Sequence, residues 1–220
     1  MEPFDFARSS GSFFYAFQKT LAFSGLSQDL FMSFDKMMIH YCAPTLCGIK
    51  SGNMFFIKNE DYSENSFNLW KEIFSAHGIM TLAIQLSDTT TGILTCNVCW
   101  TRKILENPIV KAYLREKGYN TSSVFNFVKT FSNRIKNQNG FPHEIGVILG
   151  YPIDDVIEFE NHQGKNCKYC GYWKSYSDIE KAKACKCRYK NCTCLCEKWY
   201  KEGYSIIQII QEYKKVADAA

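Results

Sequence analysis

Apolar positions recur at three- and four-residue steps over residues 27–41, where Leu30, Phe31, Phe34, Met37, Met38 and Tyr41 form one stripe. That spacing predicts a helix with one buried face. Ser27 stands where a cap belongs, and Asp29 and Asp35 fall on the wet side. A helix is also expected over residues 12–23. Pro44 should stop the second helix at Ala43 and open a short new one, because proline lacks an N–H but suits a first helical turn. Cys42 is then expected at a break, close to a helix N-terminus.

Further along, Asn53 to Ile57 reads as a short buried strand. Residues 66–77 predict a helix with Phe67, Trp70, Ile73 and Phe74 on its apolar face, ended by Gly78. Ile79 to Leu86 and Ile93 to Trp100 are β-prone runs separated by Ser87-Asp88-Thr89-Thr90-Thr91-Gly92, a hairpin signal. Helices are expected over residues 107–117, started by Pro108 and stopped by Gly118, and over residues 121–136. Glu144 to Leu149 reads as a buried strand, turned by Gly150-Tyr151-Pro152 into a helix near residues 153–160. Gly171 to Tyr176 is a further strand. From Ser177 charge alternates with Cys185, Cys187, Cys192, Cys194 and Cys196 on a long expected helix, and a last amphipathic stretch covers Tyr204 to Val216. The expected fold is α+β, a small antiparallel sheet packed with helices over residues 1–176. A Cys-rich helical extension follows over residues 177–220.

Composition narrows the function classes. A chain of 220 residues with 46% hydrophobic and 15% aromatic content can bury a sizeable core. The net charge of +4 is scattered, which argues against a nucleic-acid binder. No apolar run has the length of a membrane span, and the N-terminus lacks a secretory pattern. A cytoplasmic setting is therefore expected, in which the 11 cysteines are mostly reduced thiols.

Two segments carry candidate chemistry, Tyr41-Cys42-Ala43-Pro44-Thr45-Leu46 and Phe141-Pro142-His143-Glu144-Ile145-Gly146. A thiolate attacks carbonyl and thioester carbon, and an imidazole raises its population and later protonates the leaving group. The competing reading makes Cys42 a small core residue and His143 a satisfied core histidine. His40 lies two residues from Cys42 and should face away from it. Asp154 and Asp155, at a helix start, either orient the imidazole or complement the helix dipole. Arg102 is a candidate for holding a carboxylate or phosphate, and Tyr172, Trp173 and Tyr176 for lining an acyl pocket or filling core. Cys167-x-x-Cys170 has zinc-knuckle spacing, and Cys192 and Cys196 stand one helical turn apart, so four thiolates offer an alternative metal set. Cys96-x-x-Cys99 lies in an expected strand, which is unlike a thioredoxin motif.

The blocks HYCAPTLCGIK, FPHEIGVILGYPIDDV and GKNCKYCGYWKSYSDIEKAK resemble the hallmarks of a domain-of-unknown-function family carried mainly by anaerobic Gram-positive bacteria. The likeness spans roughly residues 27–192. Some relatives resemble papain-like cysteine enzymes that make amide bonds from carrier-bound thioesters. This resemblance implies a papain-like fold, with Cys42 as nucleophile, His143 as base, and Asp154, Asp155 or Asn166 as orienting group. It also implies an acyl or peptidyl carrier protein as partner, a small acyl substrate, amide formation or hydrolysis, and no cofactor. Cys167, Cys185, Cys187, Cys194 and Cys196 lie outside that pattern. They motivate the alternative of a non-enzymatic metal- or thiol-sensing module holding zinc through Cys167, Cys170, Cys192 and Cys196.

Overall fold

The computed structural model describes residues 33–137 and 141–218. The expected helix at residues 12–23 and the Ser27 cap lie outside these residues. In chain order the elements are α1 (Phe34–Leu46), β1 (Gly52–Lys58), a 3-10 turn (Asn59–Asp61), α2 (Glu64–Ala76), β2 (Ile79–Gln85) and β3 (Thr90–Asn97). Then come α3 (Val98–Glu106), α4 (Pro108–Glu116), α5 (Val124–Asn137), α6 (Ile145–Ile148) and α7 (Ile153–Asn161). β4 (Tyr169–Cys170), β5 (Lys174–Ser175), α8 (Ile179–Lys201) and α9 (Ile206–Asp218) complete the described chain. The class is α+β.

The described residues fall into two discontinuous compact units. One comprises residues 33–101, 148–150 and 184–218, and the other residues 102–137, 141–147 and 151–183. The sequence suggests a cut near residue 176. Residues 179–183 of α8 belong to the second unit and residues 184–201 to the first, where Cys192 and Cys196 share a core with Cys47 and Phe55.

In the first unit the sheet order is β1-β3-β2, antiparallel throughout. The register pairs Met54 with Leu94 and Phe55 with Ile93 across β1 and β3, and Leu82 with Leu94 across β2 and β3. α1 lies against β1, where the Tyr41 ring stacks on Phe55 at 5.0 Å. Met38, Ile39, Cys42, Phe55, Phe67, Phe74, Ile206, Ile209 and Ile210 share one core. Each fully buried aromatic or branched side chain there contributes about 1.5–3 kcal/mol of transfer free energy. Trp70 on α2 also donates to the Asp35 carboxylate at 2.6 Å, tying α2 to the start of α1.

Two short segments of this unit approach unusually closely. Ser51 Oγ donates to the Ile148 carbonyl at 2.8 Å. A Cβ on Gly52 would meet that carbonyl oxygen at 2.6 Å, so only glycine allows the approach. Gly150, at φ +76°, faces Ser51 and is doubly restricted to glycine, by backbone and by space.

Three expectations are corrected here. α1 runs through Pro44 to Leu46, and at its described start Ser33 accepts from the Lys36 N–H. Pro44 sits in the last turn, where its missing N–H costs one hydrogen bond, while Cys47 N and Ile49 N still bond to the Ala43 and Pro44 carbonyls. Glu144 to Leu149 forms turns and the short helix α6 instead of a strand; a brief apolar run does not distinguish the two. Finally, β3 ends at Asn97, whose side chain accepts from the Trp100 N–H, and Val98-Cys99-Trp100 open α3.

In the second unit α4 begins at Pro108 behind Asn107, which accepts from the N–H groups of Ile109 and Val110. Phe127 and Phe131 of α5 and Leu114 of α4 are fully buried. Among the described residues no helix is long and apolar enough to cross a membrane.

Candidate functional site

α1 positions two different thiol environments five residues apart. Cys42 lies inside the helix and is 0% exposed. Its sulfur donates to Thr95 Oγ1 of β3 at 3.6 Å. Burial pushes its pKa up to about 12, against the smaller pull of Thr95 and Lys50. Lys50, 4% exposed in the loop after α1, is pushed the other way, down to about 7, by burial; the field of Cys42 opposes that shift. Around them Thr45 Oγ1 donates to Asn53 Oδ1 at 2.6 Å, also fully within the core. The expected placement of Cys42 at a helix N-terminus is therefore not what folds. The helix interior supplies no free N–H groups to lower its pKa.

The second environment begins at Cys47, which caps the C-terminus of α1. Its sulfur is 3.5 Å from that of Cys196 on α8. Cys192 lies one turn earlier on α8, so its side chain projects from the same face. The sulfurs of Cys47, Cys192 and Cys196 all lie within 4.8 Å of one another. Their exposures are 6%, 1% and 0%. Nearby, His40 Nδ1 on α1 lies 2.6 Å from Glu197 Oε1 on α8, a second tie between the same two helices.

These three thiols ionise as a group. Hydrogen bonds from Cys196 and Cys47 hold Cys192 down to about 4, with a contribution from the Tyr213 hydroxyl of α9. Cys47 and Cys196 are pushed up, each mainly by its hydrogen bonding to Cys192. The physical content is one readily lost proton shared among three sulfurs, followed by two that are held strongly. Such a set is suited to a thiophilic ion, which removes the remaining protons on binding.

The other sequence candidates are placed as follows. His143 belongs to the other unit from Cys42, in the turn before α6. Its ring is 5.2 Å from that of Phe159, and burial lowers its pKa, against the pull of Glu144 and Glu160. Asp155 is 2% exposed on α7. Its Oδ1 accepts from the Tyr176 N–H, Ser177 N–H and Ser177 hydroxyl at 2.8, 2.9 and 2.8 Å, and its Oδ2 from Trp173 Nε1 at 2.7 Å. Burial pushes its pKa up, but these hydrogen bonds outweigh burial and leave it below the usual carboxylate value. The Asp155 carboxylate thus fastens the segment after β5 to α7. Asp154 is exposed in the first turn of α7, where its charge suits the helix dipole.

Trp173 is buried, stacked on Tyr151 at 5.2 Å, while the Tyr172 carbonyl accepts from the Tyr151 hydroxyl at 3.0 Å. Arg102 is exposed on α3. Asn166 takes a positive φ of 59° in the turn before β4. Cys167 and Cys170 lie in the second unit, around the short hairpin, and Cys192 and Cys196 in the first. Cys185 is half-buried on α8, and Cys187 and Cys194 are exposed there. Cys96 is buried on β3, its pKa pushed up to about 12 by burial, and Cys99 is exposed on the first turn of α3. Cys47 and Lys50 escaped the sequence reading. The one available signal was the i, i+4 pair Cys192/Cys196; nothing in the sequence names Cys47 as their neighbour.

The chain belongs to the family described as protein of unknown function DUF3793, whose model matches residues 38–210. No curated protein and no solved structure matches the chain. The family name supplies no chemistry.

Proposed function

We propose that this member of the family is a thiol-based binding module that holds one thiophilic ion through Cys47, Cys192 and Cys196. The single observation behind it is the convergence of three buried sulfurs, within 4.8 Å, from two helices of one compact unit. Thiolate ligands at about 2.3 Å from a central ion lie roughly 3.8 Å apart, so the cluster needs only small side-chain adjustments to close on an ion. Ion binding would lock the end of α1 onto α8, and the shared first ionisation makes uptake favourable at neutral pH. The test is metal analysis of protein purified without oxygen, then titration with Cd2+ followed through thiolate-to-metal charge-transfer absorption. One equivalent is expected, lost in Cys47→Ser, Cys192→Ser and Cys196→Ser. Undiminished binding in those variants, or no binding to the wild type, removes the reading.

A second reading is cysteine-dependent acyl transfer at Cys42, beside which the amine of Lys50 is buried in the same unit, close enough for the two groups to act on each other's charge. The Cys42 sulfur would attack a carrier-bound thioester, release the carrier thiol, and pass the acyl group to an amine or water. With Cys42 fully buried, this chemistry requires α1 to part from β3. Incubation with a thioester and intact mass measurement should then show one acyl adduct, absent in Cys42→Ala; an unmodified wild type rejects it.

A further inference from the structure

We infer that the Cys47–Cys192–Cys196 site takes a trivalent metalloid of the arsenic(III) or antimony(III) class in preference to a divalent metal. This rests on the thiophilic-ion reading and narrows it. Three features of the site carry the choice.

The first is ligand number. Among the described residues no fourth cysteine, histidine or carboxylate joins the three sulfurs. Structural zinc sites close with four protein ligands. Trivalent arsenic is satisfied by three, its lone pair occupying the remaining direction.

The second is charge. Three thiolates around a monovalent ion leave a net charge of −2, around a divalent ion −1, and around a trivalent centre zero. The sulfurs are almost fully buried and share a core with Ile206, Ile209 and Ile210. An uncompensated charge in such surroundings costs several kcal/mol. Arg188 acts on Cys192 and Glu197 on Cys196, and the two carry opposite charges.

The third is shape. Cys192 and Cys196 approach from one helix face and Cys47 from the end of another, so the ligands form a short-edged triangle, with one edge of 3.5 Å. A pyramidal three-sulfur centre sits on one side of such a triangle.

The step balances without any redox partner. As(OH)3 meets one thiolate and two S–H groups and takes up one proton from solvent; three As–O and two S–H bonds break, three As–S bonds form, and three water molecules leave. Arsenic stays trivalent.

The test uses the full chain, reduced and anaerobic, titrated separately with arsenite, Cd2+ and Zn2+. Intact native mass spectrometry should show one arsenic bound with loss of three hydrogens, at lower free concentration than either divalent ion requires. Alkylation after unfolding quench should find Cys47, Cys192 and Cys196 protected by arsenite and the other eight cysteines open, a readout that needs no variant. Single serine substitutions at the three positions should weaken arsenite binding at least about a hundredfold. Cys187→Ser, on the exposed side of α8, should leave it unchanged. Cd2+ or Zn2+ held by the three cysteines with arsenite binding more weakly overturns the inference and leaves the ion-binding reading standing. Failure of all three ions overturns both. Arsenite protecting a different set of cysteines overturns the inference by assigning the ion elsewhere.

Discussion

Each unit buries a cluster of polar side chains, and the two clusters are completed in different ways. The Asp155 carboxylate accepts four hydrogen bonds from Trp173, Tyr176 and Ser177, so its charge is met within the protein. The sulfurs of Cys47, Cys192 and Cys196 have mainly one another, and thiols are weak donors and weak acceptors. A satisfied cluster behaves as a rivet, whereas a cluster of soft donors facing each other is suited to a ligand. In this contrast the Asp155 carboxylate fastens neighbouring segments, while Cys47 faces only other soft donors, which is what the ion-binding proposal draws on.

The largest effect that would break this contrast lies at Asp155. Asp155→Ala leaves four donor groups without their acceptor and should destabilise the unit by about 3–5 kcal/mol in a denaturant titration. Its pH dependence follows from the lowered folded pKa. The stabilisation is present above the unfolded value near 4 and is lost as pH falls through the folded value. Wild type should therefore lose stability below about pH 4, while Asp155→Asn lacks that part of the slope.

The thiol cluster should respond oppositely, gaining stability from a ligand. A thiophilic ion at about a hundred times its dissociation constant should add roughly 2.7 kcal/mol to unfolding, measured by thermal melting with and without ion. The gain should vanish in Cys196→Ser. A gain retained in that variant means the ion sits elsewhere.

Lys50 sharpens the comparison, being buried and held far below its ordinary pKa. Since the unfolded chain binds a proton more readily than the folded one, stability should rise from pH 7 to about 9. Above that the raised pKa of Cys42 acts the other way. Lys50→Met should stabilise the chain at pH 7 by about 1–2 kcal/mol, with the advantage shrinking toward pH 9. A loss of stability at pH 7 would contradict the burial argument. The smallest expected change is at the cap of α4, where Asn107→Ala should cost about 1 kcal/mol in the same titration.

Much of the fold was legible because long amphipathic stripes and cap residues leave periodic traces. Phe67 and Phe74 marked α2, Pro108 marked the start of α4, and the polar run Ser87–Thr91 marked the turn between β2 and β3. What failed were local rules overridden by packing. Pro44 in a final helical turn removes only one bond, so α1 continues through it, and the apolar run Ile145–Ile148 was too short to declare its period. The site was half legible. The spacing of Cys192 and Cys196 places them on one helix face, but their third member lies 149 positions from Cys196 in sequence. No local pattern encodes that approach. Cys42 and His143, the most chemically suggestive pair in the sequence, fall in different units.

The central claim is that three sulfurs hold one ion, and counting the sulfurs tests it most directly. X-ray absorption fine structure of the cadmium- or arsenite-loaded full chain should show three sulfur neighbours, reduced in Cys47→Ser. A shell dominated by nitrogen or oxygen, or one unaffected by losing Cys47, would contradict the account.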